Sequence, residues 1–532
     1  MSPKLLYDRL SLGPVVGRHQ PTLHLAALLI VFVLLDRAVE RVTGLSESSY
    51  FQTSLVIELA RKLGWLGCVS LAAAAVLLTR YGKLGSAWGA LECGAALRTF
   101  VVVLIGALAW CLSTYGYNYY FDQGYYVERV LLVALVPLTW WRPVFALPFL
   151  ALAYTFLWQL AEPALGGSIF PHKLQILRAV SLFAAAFLVY AVTGYRRIAP
   201  LLVLLCSFVA AAYWVAAVAK YNLSWLSDAR LLTMPVSAYA HGWLAFLDPA
   251  TVVAVSTAIG RYDPVLRALV LTLEGACLFF LWRRSLSMWL LGLLILFHCA
   301  IFALYGFFFW TWMLLDGALM LLLWRAGGSA DTGVYNVRNA VLSVGLILAG
   351  SWWARPPQLG WFDTPLTYTY RIQALDAEGR RSTVHPYFLT PYEDVFTMTA
   401  FSYLATDHPR LVGAYGATAD ADLARELFDA RTPADVFAIE NEREREPDRA
   451  RAARFYRFLE QYFATRNRRG ERLCYLRYLR PPQQFWSFRG DWPDVEHDRV
   501  AQLAVVEVTT FFNGKGLEVI RESELARIKI PH

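Results

Sequence analysis

Between Leu23 and Trp353, apolar stretches near the length that spans a bilayer, about 20 residues, recur with few charges inside them. Nothing else in the chain restricts its fold as strongly, because a backbone in lipid has no water to satisfy its N–H and C=O groups and must form helix. The composition agrees, since 57% apolar against 17% charged residues is the wrong balance for a soluble chain of this length. The first run lacks a small-residue cleavage pattern and is followed directly by Asp36 and Arg37, so it reads as a retained anchor. Further spans are predicted near 64–80, 99–114, 126–140, 143–160, 173–193, 199–219, 265–282, 286–305, 308–324 and 337–353. That makes about 9–11 transmembrane helices.

After Trp353 charge density rises and alternating segments such as Tyr368 to Leu375 appear, as in strands. The expected fold is an all-α polytopic membrane domain over 1–353 followed by a water-facing C-terminal α+β domain with short antiparallel strands over 354–532. Residues 368–389 read as a hairpin about the turn Asp376, Ala377, Glu378, Gly379, and further short elements follow from Phe485. In the charged run Glu442 to Arg469, the residues Phe455, Phe458, Leu459, Tyr462 and Phe463 form an apolar stripe, as on a docked surface helix.

Basic residues mark orientation. Arg80, Lys83 and Arg98, then Arg142, Arg196 with Arg197, Arg283 with Arg284, and Arg325 with Arg338 fall on alternate loops, which should be cytoplasmic. Counting crossings puts the N-terminus inside, and Lys220, Asn118 to Gln123, Glu162 to His172 and the C-terminal domain outside, with an odd number of spans. Of 7 cysteines only Cys474 falls in the external part, so no disulfide forms within it, and no CxxC pattern offers a metal site. An external compartment without disulfides suits the periplasmic face of a bacterial inner membrane. The net charge of +8 is accounted for by topology and by interleaved charges of both signs. The partner expected is therefore the lipid bilayer, and nucleic acid is not indicated. The C-terminal part contains no GxSxG, no HExxH, no phosphate-binding glycine loop and no internal repeat.

Ionisable groups at bilayer depth are disfavoured by roughly 2.5–3.5 kcal/mol, so each needs a partner or a task. Lys220, Glu274, His298 and Asp316 meet that description. Lys220 ends the apolar helix AAYWVAAVAK with Tyr221 and Trp225 beside it, which suits either an anchoring lysine or a base. Ala217, Ala216 and Tyr213 precede it by three, four and seven residues, so on a helix the amine overlooks a small-walled groove closed by an aromatic, where a flat ring fits. A desolvated, neutral lysine there would accept a phenolic proton. A carboxylate as deep as Glu274 is either protonated or paired with a cation. His298 reads as a packing imidazole or as part of a polar seam with Tyr305, seven residues on. Asp316, beside Gly317, reads as a helix-crossing residue, and His172 follows Pro171 at a helix start.

AAVAKYNLSWL at 216–226 and LFHCAIFALYGFFFWTWML at 296–314 resemble, in order and spacing, the segments of the vitamin K-dependent gamma-glutamyl carboxylases that carry a catalytic lysine and a Phe-His-Cys motif. An acidic residue in the preceding helix, here Glu274, extends the likeness. The resemblance covers roughly 20–325, the horizontally transferred transmembrane domain. It implies a lyase that joins carbon to carbon while epoxidising a reduced naphthoquinone of the vitamin K or menaquinol type, with a protein or peptide substrate approaching from the external face. By that likeness Lys220 is the base, His298 and Glu274 belong to the same pocket, and His172 is the counterpart of an upstream histidine. Tyr213, Ala216, Ala217, Trp225 and Tyr305 would then border the cofactor. The carboxylases' disulfide between membrane and lumenal parts has no counterpart, because only one cysteine follows Cys299.

Two other functions fit a polytopic domain with an external part. A polyprenyl-phosphate-dependent glycosyltransferase would use an acidic residue of the first external loop, where Asp36, Glu40, Glu47 and Glu58 are expected. A non-enzymatic maturation or assembly factor would hold a client on its external domain, including the helix 449–463.

Overall fold

The computed structural model describes residues 21–81, 88–161, 165, 171–399, 401–404, 408–443, 448–470, 479–490 and 499–531. Its first part is a helical bundle: α1 (Pro21–Thr43), α2 (Leu55–Tyr81), α3 (Gly94–Ser113), α4 (Tyr126–Trp141), α5 (Ala146–Ala161), α6 (Pro171–Thr193), α7 (Ala199–Asn222), α8 (Pro249–Ala276), α9 (Arg284–Tyr305), α10 (Trp310–Val334) and α11 (Val337–Leu348). Among the described residues six helices, α1, α3, α5 with its preceding turn, α6, α7 and α9, are long and apolar enough to cross a membrane. The others are shorter, more polar or interrupted, by Pro137 in α4, Pro264 in α8, and the non-helical Gly64 and Gly327 in α2 and α10.

α7 is the axis of the bundle. It has no polar face, and of Pro200 to Ala217 only Trp214 is not fully buried, as expected of a helix that is apolar all round. The outer helices instead expose large apolar side chains, among them Trp65, Trp141, Trp289 and Trp324. Among the described residues only Leu479, Phe488 and Val519 do so beyond 353. The bundle is thus coated for an apolar solvent and the remainder for water.

The two ends of the bundle differ. At one end the arginine-bearing loops meet: Glu92 accepts the N–H of Ile198 at 3.1 Å, Arg284 donates to the Trp324 carbonyl at 2.8 Å, and Arg98 and Arg142 stack on Trp140 and Trp141. At the other end lies the C-terminal domain, built on a four-stranded antiparallel sheet. A short β1 (Phe362–Asp363) is followed by β2 (Leu366–Leu375), β3 (Arg381–Thr383), a short β4 (Ala417–Thr418) that pairs with β1, β5 (Gln502–Phe512) and β6 (Leu517–Lys529). The sheet order is β3-β2-β5-β6, with β2 and β5 in register from Leu366–Phe511 to Leu375–Gln502. The expected hairpin is present, its turn closed by the N–H of Gly379 on the Asp376 carbonyl at 3.1 Å. The charged run forms α12 (Arg449–Arg469), whose five stripe residues are all fully buried against rings such as Phe396 and Phe401.

The domain is fastened to the bundle at several points. Gln461 of α12 donates to the Tyr120 carbonyl at 2.8 Å. The α9–α10 connection pairs like a strand with 484–486, through Phe308 N–H to Gln484 O at 2.7 Å and Trp486 N–H to Gly306 O at 3.1 Å. Gly306 sits at φ +78° against Trp243, a position no side chain fits.

Two expectations are corrected. The span predicted at 265–282 is the second half of α8, which begins at Pro249 because Asp248 caps it by accepting the N–H of Thr251, and the first half packs on 231–240. Asp36 and Glu40 do not lie in a loop. They are on α1, where Arg355 pairs with both, Arg178 donates to Glu40 at 3.2 Å, and Tyr154 donates to Asp36 at 2.7 Å. Of the remaining acidic candidates, Glu47 accepts from Tyr120 and Glu58 pairs with Arg61.

Candidate active site

A cavity of about 340 Å³ lies among α7, α8, α9 and the start of α10, at the end of the bundle that carries the C-terminal domain. Its walls are almost wholly apolar: Leu266, Leu269, Val270 and Leu273 from α8, Phe297, Ala300, Ile301 and Leu304 from α9, Trp312 from α10. Leu269 lines the cavity yet is 59% exposed on the outside of the bundle, so the wall there is one side chain thick. Pro357, Leu359, Trp361 and Asp363 line it from the segment that enters the C-terminal domain. That segment is pressed on the end of α7, because a Cβ at Gly360 would stand 2.9 Å from the Ala219 carbonyl carbon.

Three polar groups face this apolar space. The first is Lys220, in the last turn of α7, where a cation also suits the helix dipole. Its Nζ donates to both oxygens of Glu274, at 2.6 and 2.8 Å, and lies 5.8 Å from the centre of the Trp225 ring. The lysine side chain is 14% exposed and the glutamate 4%, so the amine is largely sheltered and does not stand alone. Lys220, which the sequence allows as an anchor or a base, is thus held in an ion pair with Glu274, one of the two states expected of a carboxylate at that depth.

The second group is a buried chain. Tyr213 donates to Asp316 Oδ2 at 2.6 Å, and its oxygen lies 3.0 Å from His298 Nε2. With the tyrosine proton directed to Asp316, the hydroxyl oxygen accepts Nε2–H, which leaves Nδ1 as the lone-pair nitrogen of the ring. Nδ1 is buried and has no partner among the described residues. Asp316 thus orients a tyrosine, beyond the helix-crossing role expected of it. His298 is not joined to Tyr305, as the seven-residue spacing suggested.

Tyr305 belongs to the third group. Its hydroxyl donates to Asp363 Oδ1 at 2.6 Å, and Trp361 Nε1 reaches the same oxygen at 3.3 Å. Asp363 is only 5% exposed, and burial pushes its carboxyl up to about 6, against the lowering effect of Tyr305, Trp361 and Lys220.

The cavity thus brings together Lys220, Glu274, His298, Tyr213, Ala216, Trp225 and Tyr305. Ala217 is buried but does not line it, because its place on α7 turns it away from the opening. The side chain of His172 lies outside the described residues, as do Cys474 and most of 162–170. Sequence reasoning missed Trp312, Trp361 and Asp363. The one available signal was an acidic residue and aromatics in LGWFD, directly after the last apolar run and on the expected side of Lys220. Among the described residues no group of His, Cys, Asp and Glu is arranged to hold a metal ion. Comparison with protein-family models, with curated proteins and with solved structures finds no match to this chain.

Proposed function

We propose that the chain is a quinol-using membrane enzyme of the gamma-carboxylase type, with Lys220 and Glu274 acting together as its base. One observation carries this reading: the Lys220 amine and the His298 imidazole border a single apolar cavity inside a helical bundle. A reduced naphthoquinone would suit the residues there, since flat apolar walls match its ring and the carboxylates of Glu274 and Asp363 match hydroxyl donors. When bound, it would supply two ring hydroxyls and the electrons that oxygen withdraws.

The residues act as follows. Lys220 stands at the head of the cavity and takes a hydroxyl proton while passing one of its own to Glu274 along the 2.6 Å contact. The proton ends on the glutamate, and the ammonium stays opposite the oxygen that lost it, where the apolar wall strengthens their attraction. His298, held by Tyr213 and Asp316, packs its imidazole against the ring. The thin wall at Leu269 offers an entry from the bilayer.

The same reading assigns about eleven crossings of a bacterial inner membrane, with the arginine-rich end cytoplasmic and the C-terminal domain periplasmic. The co-substrate, a protein or peptide, would approach from the periplasmic face. The test is oxygen uptake by the purified full-length protein in lipid nanodiscs supplied with menaquinol. Wild type should consume oxygen, and Lys220→Ala should slow it by roughly 100-fold or more. An unchanged rate in that variant overturns the reading.

A further inference from the structure

Among the described residues, Asp363 is the only carboxylate that the C-terminal domain contributes to the cavity. Its Oδ1 is occupied twice, by the Tyr305 hydroxyl and the Trp361 indole, while its Oδ2 makes no hydrogen bond among the described residues. Both donors to Oδ1 line the cavity themselves, so the carboxyl is held in one orientation by a membrane helix and by its own strand neighbour. The backbone is held as well, because Phe362 and Asp363 pair with Thr418 and Ala417, and Gly360 abuts α7. An acceptor fixed this firmly, without a partner and not among the fully enclosed atoms, is open to a donor from whatever occupies the cavity it lines.

We infer that Asp363 is a ligand-contacting residue, whose Oδ2 accepts a hydrogen bond from a hydroxyl group of the molecule in the cavity. The inference rests on the quinol reading and extends it. A reduced quinone has two hydroxyls on opposite sides of its ring, and the Lys220–Glu274 pair serves one. Asp363 serves the other, so the cavity tells the reduced ring from the oxidised one, which has no hydroxyl to donate. The C-terminal domain is then part of the binding site and not solely a platform for a second substrate.

The experiment is binding of menaquinol and, separately, menaquinone to full-length protein in nanodiscs, followed by quenching of tryptophan fluorescence, for wild type, Asp363→Asn and Asp363→Ala. Asparagine keeps an oxygen for Tyr305 and Trp361 but turns the second position into a donor. Wild type should prefer menaquinol over menaquinone, and D363N should lose roughly tenfold or more in affinity for menaquinol and little for menaquinone. If D363N binds both as wild type does while D363A fails, Asp363 only supports Tyr305 and Trp361, and the inference falls while the quinol reading stands. If wild type binds neither compound saturably, the quinol reading falls and takes this inference with it.

Discussion

The amine of Lys220 lies 2.6 and 2.8 Å from the two carboxylate oxygens of Glu274, joining α7 to α8 inside an otherwise apolar wall. Removing one member of a buried pair strands the other charge, at a cost of about 3–5 kcal/mol. Lys220→Met and Glu274→Leu should each lower the thermal unfolding midpoint sharply. The double variant should regain most of the loss, because two apolar side chains of similar volume need no compensation. A double variant as unstable as the singles would show that the pair does not exist as described.

Tyr213 links His298 to Asp316, so Tyr213→Phe leaves an imidazole nitrogen and a carboxylate oxygen without their partner. Stranding such groups costs about 1–3 kcal/mol. If the imidazole orients the ring in the cavity, kcat for menaquinol oxidation should fall by roughly tenfold. Asp316→Asn, which keeps an acceptor for the hydroxyl, should be milder. Equal effects of the two substitutions would separate the tyrosine from the histidine.

Gly360 has no room for a side chain beside Ala219. Gly360→Val should lift the segment that carries Trp361 and Asp363 away from the cavity and weaken menaquinol binding, with the bundle otherwise intact by circular dichroism. Gly379→Val, at the exposed β2–β3 turn with φ +78°, strains the backbone too but should leave binding unchanged.

Asp363 gives a pH signature whose sign is fixed. Burial raises its carboxyl to about 6 from 3.8, so between those values the folded protein holds a proton that the unfolded chain has released. Its contribution to stability is complete below the unfolded value and is lost as pH rises through about 6. The groups that face it, Tyr305, Trp361 and Lys220, do not reverse that direction. Chemical denaturation at pH 4 to 8 should show a slope in wild type that is absent from D363N, read as the difference between the two because Asp394 is also raised to about 6.

Sidedness is open to direct measurement. A cysteine placed at Glu378, in the hairpin turn of the C-terminal domain, should react with a membrane-impermeant maleimide in intact cells. One at Arg197, among the arginine loops, should react only after permeabilisation. The reverse pattern would invert the orientation proposed above.

Helix positions were readable because lipid admits one backbone solution, and the predicted runs at 126–140, 173–193 and 286–305 fall on α4, α6 and α9 nearly to the residue. The start of α8 was not readable, since the apolar run from Pro249 to Gly260 is too short to register as a span before Arg261 and Asp263 interrupt it, and its helix is set by the Asp248 cap and by packing on 231–240. Within the site, Lys220, Glu274 and His298 stood out by the cost of charge in apolar surroundings, which is a property of each residue alone. The pairings among them did not. Periodicity on one helix paired His298 with Tyr305, whereas the bonds run to other elements, from His298 to Tyr213 on α7 and from Tyr305 to Asp363 on β1. Asp363 was hidden for a further reason, because an aspartate in a polar segment carries no sign of burial until the tertiary structure folds it under.

The stretch from Pro357 to Asp363 is short, yet it belongs to the ceiling of the cavity and to the first strand of the outer domain at once. The two halves of this protein are consequently not modules that can be exchanged at Trp353. A chimera carrying a foreign outer domain would have to inherit this linker, or its membrane half would be left roofless.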